Sequence, residues 1–167
     1  MKSNLSEICE YRKEKIDVSV LTPENYISTE NMLPNKSGIT VATTLPTVSQ
    51  TQEYIIGDVL VSNIRPYFKK IWKATMNGGC SNDVLVFKAK NGTDQDFLYY
   101  ILADNAFFDY SMATSKGTKM PRGDKLSIMQ YQVPVFDLTT QRRIASILRT
   151  IDEKIAINNQ INNNLAA

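Results

Sequence analysis

The chain has 167 residues, 43% hydrophobic and 22% charged, which fits one globular domain with an appendage and excludes intrinsic disorder. It contains no histidine, which removes serine–histidine and cysteine–histidine catalysis, histidine metal sites and the usual general base near neutral pH. A net charge of +2 is too small to diagnose a polyanionic partner by itself.

Cys9 and Cys80 lie far apart and match no CxxC or metal spacing, which points to a reduced compartment. No apolar run reaches the ~18 residues of a membrane-spanning helix, and no apolar signal segment follows Met1-Lys2-Ser3-Asn4. The expectation is a soluble cytoplasmic protein without a membrane partner.

In chain order, residues 4–11 are expected to form a short amphipathic helix with Leu5 and Ile8 on one face. Residues 39–42, 54–56 and 59–61 are β-rich, and Gly57-Asp58 separates the last two as a turn. Asn77-Gly78-Gly79 reads as another turn. Val84-Leu85-Val86-Phe87 is apolar at every position, so it predicts a strand buried on both faces. Thr93 or Asp94 is expected to cap a helix running to about Tyr110, with Phe97, Leu98, Ile101, Leu102 and Phe108 at helical spacing. Residues 127–135 read as a last strand. The sum is an α+β domain with a mixed or antiparallel sheet, residues 1–138, followed by a long coiled-coil helix, residues 139–167.

That helix should start from a cap at Thr139 or Thr140 and run without glycine or proline. Ile144, Leu148, Ile151, Ile155, Asn158, Asn162 and Leu165 follow one another at gaps of 4, 3, 4, 3, 4 and 3, a heptad seam that Ile147 and Ile161 widen. The same spacing suits a helix packed on its own domain. Two asparagines on the seam favour pairing, because they cost stability while fixing register.

Charge is distributed unevenly. No acid lies between Asp58 and Asp83, where Arg65, Lys69, Lys70 and Lys73 interleave with Tyr67, Phe68 and Trp72. Between Asp109 and Asp124 the only charges are Lys116, Lys119 and Arg122, in a small polar loop that lacks P-loop spacing. Both windows suit contact with phosphates and base edges of double-stranded DNA. Equally, the first could be a solvated hairpin whose aromatics enter the core, and the second an ordinary surface loop.

Catalytic readings fail on the residues. There is no glycine-rich cofactor motif and no Asn/Asp-Pro-Pro-aromatic motif of an adenine methylase. Asp152-Glu153-Lys154 contains a nuclease-like tripeptide but lies on the heptad helix, and Asp94 and Asp96 lack the rest of a calcium loop. No catalytic or metal-ligating set is assigned.

These residues together resemble one half of the DNA specificity subunit of type I restriction-modification systems. The resemblance rests on Gly57-Asp58-Val59-Leu60-Val61-Ser62 with Arg65-Pro66, on Phe97-Leu98-Tyr99-Tyr100-Ile101-Leu102, and on Lys116-Gly117-Thr118-Lys119. It is most specific at Val133-Pro134, Gln141-Arg142-Arg143-Ile144-Ala145 and Leu148-Arg149-Thr150-Ile151-Asp152. Phe136-Asp137 and Thr140 stand where the family usually has a second proline and a glutamate, so the helix start is expected to differ.

The resemblance implies a non-catalytic domain that reads one half of a split DNA target, with the helix as a ruler between half-sites. It also implies methylase and restriction subunits as partners, and these would carry S-adenosylmethionine, ATP and magnesium. A natural half-subunit would form a homodimer through the helix; a truncated product of a longer gene is the alternative. The competing functions are a helix-mediated adaptor that never touches DNA and a small DNA-modifying enzyme.

Overall fold

A computed structural model describes residues 1–166. The chain runs through β1 (Lys2–Asn4), α1 (Leu5–Ile8), β2 (Cys9–Tyr11), β3 (Lys15–Asp17), β4 (Tyr26–Ile27), β5 (Gln50–Tyr54), β6 (Val59–Ser62), β7 (Ile71–Lys73), β8 (Gly78–Cys80) and β9 (Val84–Ala89). Then come α2 (Gln95–Ala103), α3 (Asn105–Ala113), α4 (Lys125–Ile128), β10 (Gln132–Pro134) and α5 (Leu138–Leu165).

The all-apolar run at 84–87 organises this fold as its composition requires. It lies in β9, inside an antiparallel sheet ordered β2-β9-β6-β7, and all four residues are buried. Leu85 and Phe87 face one core with Val59, Val61, Leu98, Leu102, Phe107 and Phe108. Val84 and Val86 face a second core with Ile27, Met32, Leu60 and Cys80. Helices therefore cover one face of the central sheet, and a second sheet, ordered β3-β5-β8-β4, covers the other. Among the described residues, only β4 and β8 run parallel. Truncating the fully buried Phe87 to alanine would cost about 3–5 kcal/mol.

A buried ion pair fastens the sheets at one corner. Arg12 Nε donates to Asp58 Oδ2 at 2.5 Å and Arg12 Nη2 to Asp58 Oδ1 at 3.1 Å. Asp58 Oδ2 also accepts the Ile55 N–H at 3.0 Å, so both charges are matched where neither could stay solvated.

Several elements differ from the sequence expectation. The first helix is a single turn, because the chain turns into β2 at Cys9 and pairs with β9. Ile39 makes one bridge to Met32 instead of opening a strand. The strand expected at 54–56 ends at Tyr54 and starts earlier, at Gln50. Gly78 and Gly79 are strand, not turn: a Cβ on Gly78 would collide with the Asn25 carbonyl, and one on Gly79 would lie 2.8 Å from Leu21 Cδ1. Glycine here allows close sheet packing. The helix expected through Tyr110 breaks at Asp104, whose side chain accepts the Ala106 N–H and caps α3, while Asp94 caps α2. Residues 125–128 form α4, capped by Asp124, before the short strand β10. Asp137, not Thr139 or Thr140, caps α5 by accepting the Thr140 N–H at 2.9 Å.

Candidate nucleic-acid interface

The two basic windows, distant in sequence, are stitched together through the backbone. Arg65 N–H donates to the Pro121 carbonyl at 2.8 Å and Gly123 N–H to the Asn63 carbonyl at 3.1 Å. Ile64 bridges Arg122, and Lys116 and Arg122 exchange two backbone hydrogen bonds that close the second loop. The return is tight: a Cβ on Gly123 would lie 2.7 Å from Asn63 Oδ1 and 2.8 Å from Ile128 Cδ1. Glycine there lets the loop lie against β6's exit.

Arg65 takes a left-handed conformation (φ 50°), and its Nε is buried without a hydrogen-bond partner among the described residues. Lys69 is also left-handed, and neither Lys69 nor Lys119 forms an ion pair among the described residues. Lys70 Nζ donates to the Thr29 carbonyl at 2.6 Å and sits 5.6 Å from the Phe68 ring centre. Burial and then the neighbouring Arg65 lower its pKa. Lys116 contacts Asp124 at 2.5 Å and Arg122 contacts Asp83 at 3.3 Å. The Lys116 ammonium, with the Ser127 N–H, holds Asp124 down at about 2.

Lys73 stands apart from this group. Its ammonium is paired with Asp96 on α2, and burial, followed by Arg149, lowers its pKa. Of the aromatics in the first window, Trp72 packs edge-on to Tyr54, whereas Tyr67 and Phe68 remain 49% and 39% exposed.

The heptad seam divides along its length. Ile144 and Leu148 are half-buried near the domain, while Ile151, Ile155, Asn158, Asn162 and Leu165 are exposed. Ile147 and Ile161 are exposed with them, leaving an uncovered apolar stripe on the distal part of α5.

A family model for the type I restriction modification DNA specificity domain matches residues 1–167. The chain belongs to this family. It is 28% identical over 157 residues to the type I restriction enzyme EcoDI specificity subunit of Escherichia coli, a match covering 87% of this chain and 34% of that protein. Among solved structures, the HsdS subunit of Thermoanaerobacter tengcongensis superposes with a TM-score of 0.73 at 20% identity, covering 96% of this chain and 44% of that one. The type I restriction-modification S subunit of M. genitalium gives 0.64 at 18% identity, over 93% and 40%. The specificity domain thus spans about a third of the curated relative and under half of these solved chains, and it shares their fold. None of its helices is long and apolar enough to cross a membrane, among the described residues.

The polar joint between domain and helix escaped sequence reasoning. In this specificity domain Gln141 is buried and bonded to three backbone groups, Asp96 receives Arg149 as well as Lys73, and Tyr100 donates to Asp152 at 2.8 Å. Arg142 adds a 3.8 Å contact to Asp94. The joint's sequence signals, Gln141-Arg142-Arg143, Leu148–Asp152 and Phe97–Leu102, carry no partner information without the fold.

Proposed function

We propose that this specificity domain reads one half of a bipartite DNA target and directs separate methylase and restriction subunits to it, performing no chemistry itself. One observation carries the reading: the two basic windows, which carry Arg65, Lys69, Lys70, Lys116, Lys119 and Arg122, meet through backbone bridges at Asn63–Arg65 and Pro121–Gly123. Cations clustered on one surface attract phosphates and leave arginine and lysine within reach of base edges. Lys73, engaged with Asp96, acts in the helix joint instead. S-adenosylmethionine, ATP and magnesium would be held by the partner subunits. Residues 1–138 would form the reading unit and residues 139–167 the pairing unit.

The uncovered stripe on α5 supports pairing with a second copy. The whole of α5, 28 residues, extends about 42 Å, comparable to the ~34–36 Å of one DNA turn. Two antiparallel copies would set identical domains at opposite ends on one face of the duplex. Twofold symmetry would then demand an inverted-repeat target with an unread spacer.

A mobility-shift titration with randomised duplex at low salt tests the reading. The expected result is binding that weakens steeply with salt. Absence of binding by the folded chain would favour an adaptor role, and turnover of S-adenosylmethionine by the pure chain would establish an enzyme.

A further inference from the structure

The segment Arg65-Pro66-Tyr67-Phe68-Lys69 presents two exposed aromatic rings on a turn flanked by left-handed residues. Arg65 (φ 50°) and Lys69 (φ 51°) bracket the 3-10 turn Pro66–Phe68, both in the left-handed region that non-glycine residues avoid. Backbone hydrogen bonds hold both ends of the turn. Phe68 N–H donates to the Arg65 carbonyl at 3.0 Å and Lys69 N–H to the Pro66 carbonyl at 2.9 Å. Across the turn, Asn35 N–H donates to the Phe68 carbonyl and Lys36 N–H to the Lys69 carbonyl, each at 2.8 Å. Asn35 and Lys36 are themselves left-handed, at φ 55° and 59°. Pro66 is buried and anchors the turn, while Tyr67 and Phe68 lie 4.8 Å apart, tilted, at the surface.

We infer that Tyr67 and Phe68 form a preorganised wedge that contacts DNA bases directly, while the cations around them hold the phosphates. The inference rests on the proposed DNA-reading function and names the apolar part of that surface. Exposed adjacent aromatics on a turn whose flanking residues are backbone-bonded give stacking or groove contact at little ordering cost. The charge around them selects the partner: every charged residue in segment 65–70, and in its backbone partners Asn35, Lys36 and Pro121, is cationic. Nucleic acid fits that setting better than an apolar protein face does, since among these cations only Lys70 has a nearby acid, Glu30, to offset it.

The test uses the whole chain and a randomised duplex in which 5-iodouracil replaces thymine, followed by light-induced cross-linking and peptide mapping. Tyr67→Ala, Phe68→Ala and the double variant are titrated beside the parent chain, with thermal melts to show that the folds are intact. The expected result is cross-linking at Tyr67 or Phe68 and a double variant weakened roughly five- to a hundredfold. Its salt slope should stay unchanged, since no charge is removed. Parent-like affinity of the double variant, or a double variant that keeps DNA and loses only capture of the methylase subunit, would overturn the inference. A parent chain that binds no duplex would instead sink the DNA-reading function itself.

Discussion

The side-chain oxygen of Gln141 accepts the backbone N–H of Asp94 at 2.9 Å, so the first turn of α5 is bonded to the cap of α2. Its amide nitrogen donates to the Phe136 carbonyl at 2.9 Å and the Gly92 carbonyl at 3.2 Å. One buried amide thereby joins the helix, the segment entering it and the loop before α2. Gln141→Leu keeps the volume and strands three backbone groups, and should destabilise the fold by about 1–3 kcal/mol in denaturant titration. Arg142→Ala, which removes the long and exposed contact to Asp94, should change stability by less than about 1 kcal/mol.

Both thiols should be inert in the folded chain. Burial pushes Cys9 and Cys80 to about 12 from an ordinary 9.0. The folded state therefore retains protons that the unfolded state releases between those values. Stability from this source is intact below pH 9 and declines as pH rises towards 12. Iodoacetamide at neutral pH should label neither cysteine until denaturant is added, as read by mass spectrometry. Rapid labelling of the native chain would contradict the packing described for both cores.

Charge reversal of Lys69, Lys116 and Lys119 tests the joined surface. Each lysine that binds a phosphate should, when reversed, flatten the dependence of log affinity on log salt by about 0.9 and weaken all sequences alike. Removing an arginine that reads a base should cost about 1–3 kcal/mol and blur one target position. Reversal of Lys73, already engaged with Asp96, should act on stability more than on the salt slope.

Ile151→Asp with Ile155→Asp should leave the domain folded and the chain monomeric in sedimentation, because both positions are exposed in one copy and would be covered in a pair. Inserting one heptad into the distal helix should lengthen the ruler by about 10.5 Å, roughly three base pairs. The second half-site would also rotate by roughly 100°, so binding at the original spacing should largely fail.

What is legible in the sequence follows its strongest periodicities. The two-faced burial of Val84-Leu85-Val86-Phe87 and the long uninterrupted helix can be read directly, because composition alone dictates them. The glycines at 78 and 79 mislead, since a turn and a close sheet contact draw on the same missing side chain. Of residues 127–135, the strand forms only at Gln132–Pro134, because the Asp124 cap carries the chain through α4 to Ile128 first. For the site, the basic windows are visible as an absence of acids. Their joining through Ile64, Arg65 and Arg122 is not, because long-range backbone bridges leave no local pattern. Lys73 groups with its neighbours in sequence, although in the fold its ammonium turns to Asp96 on α2.

Methylation mapping by long-read sequencing, in cells that carry this chain together with the methylase subunit proposed as its partner, tests the central claim most directly. Modified adenines are expected only in one bipartite motif, and they should disappear when this chain is removed. If the chain pairs with itself through α5, that motif should be an inverted repeat with an unread spacer. A methylation pattern identical with and without the chain would contradict the claim that it specifies the target.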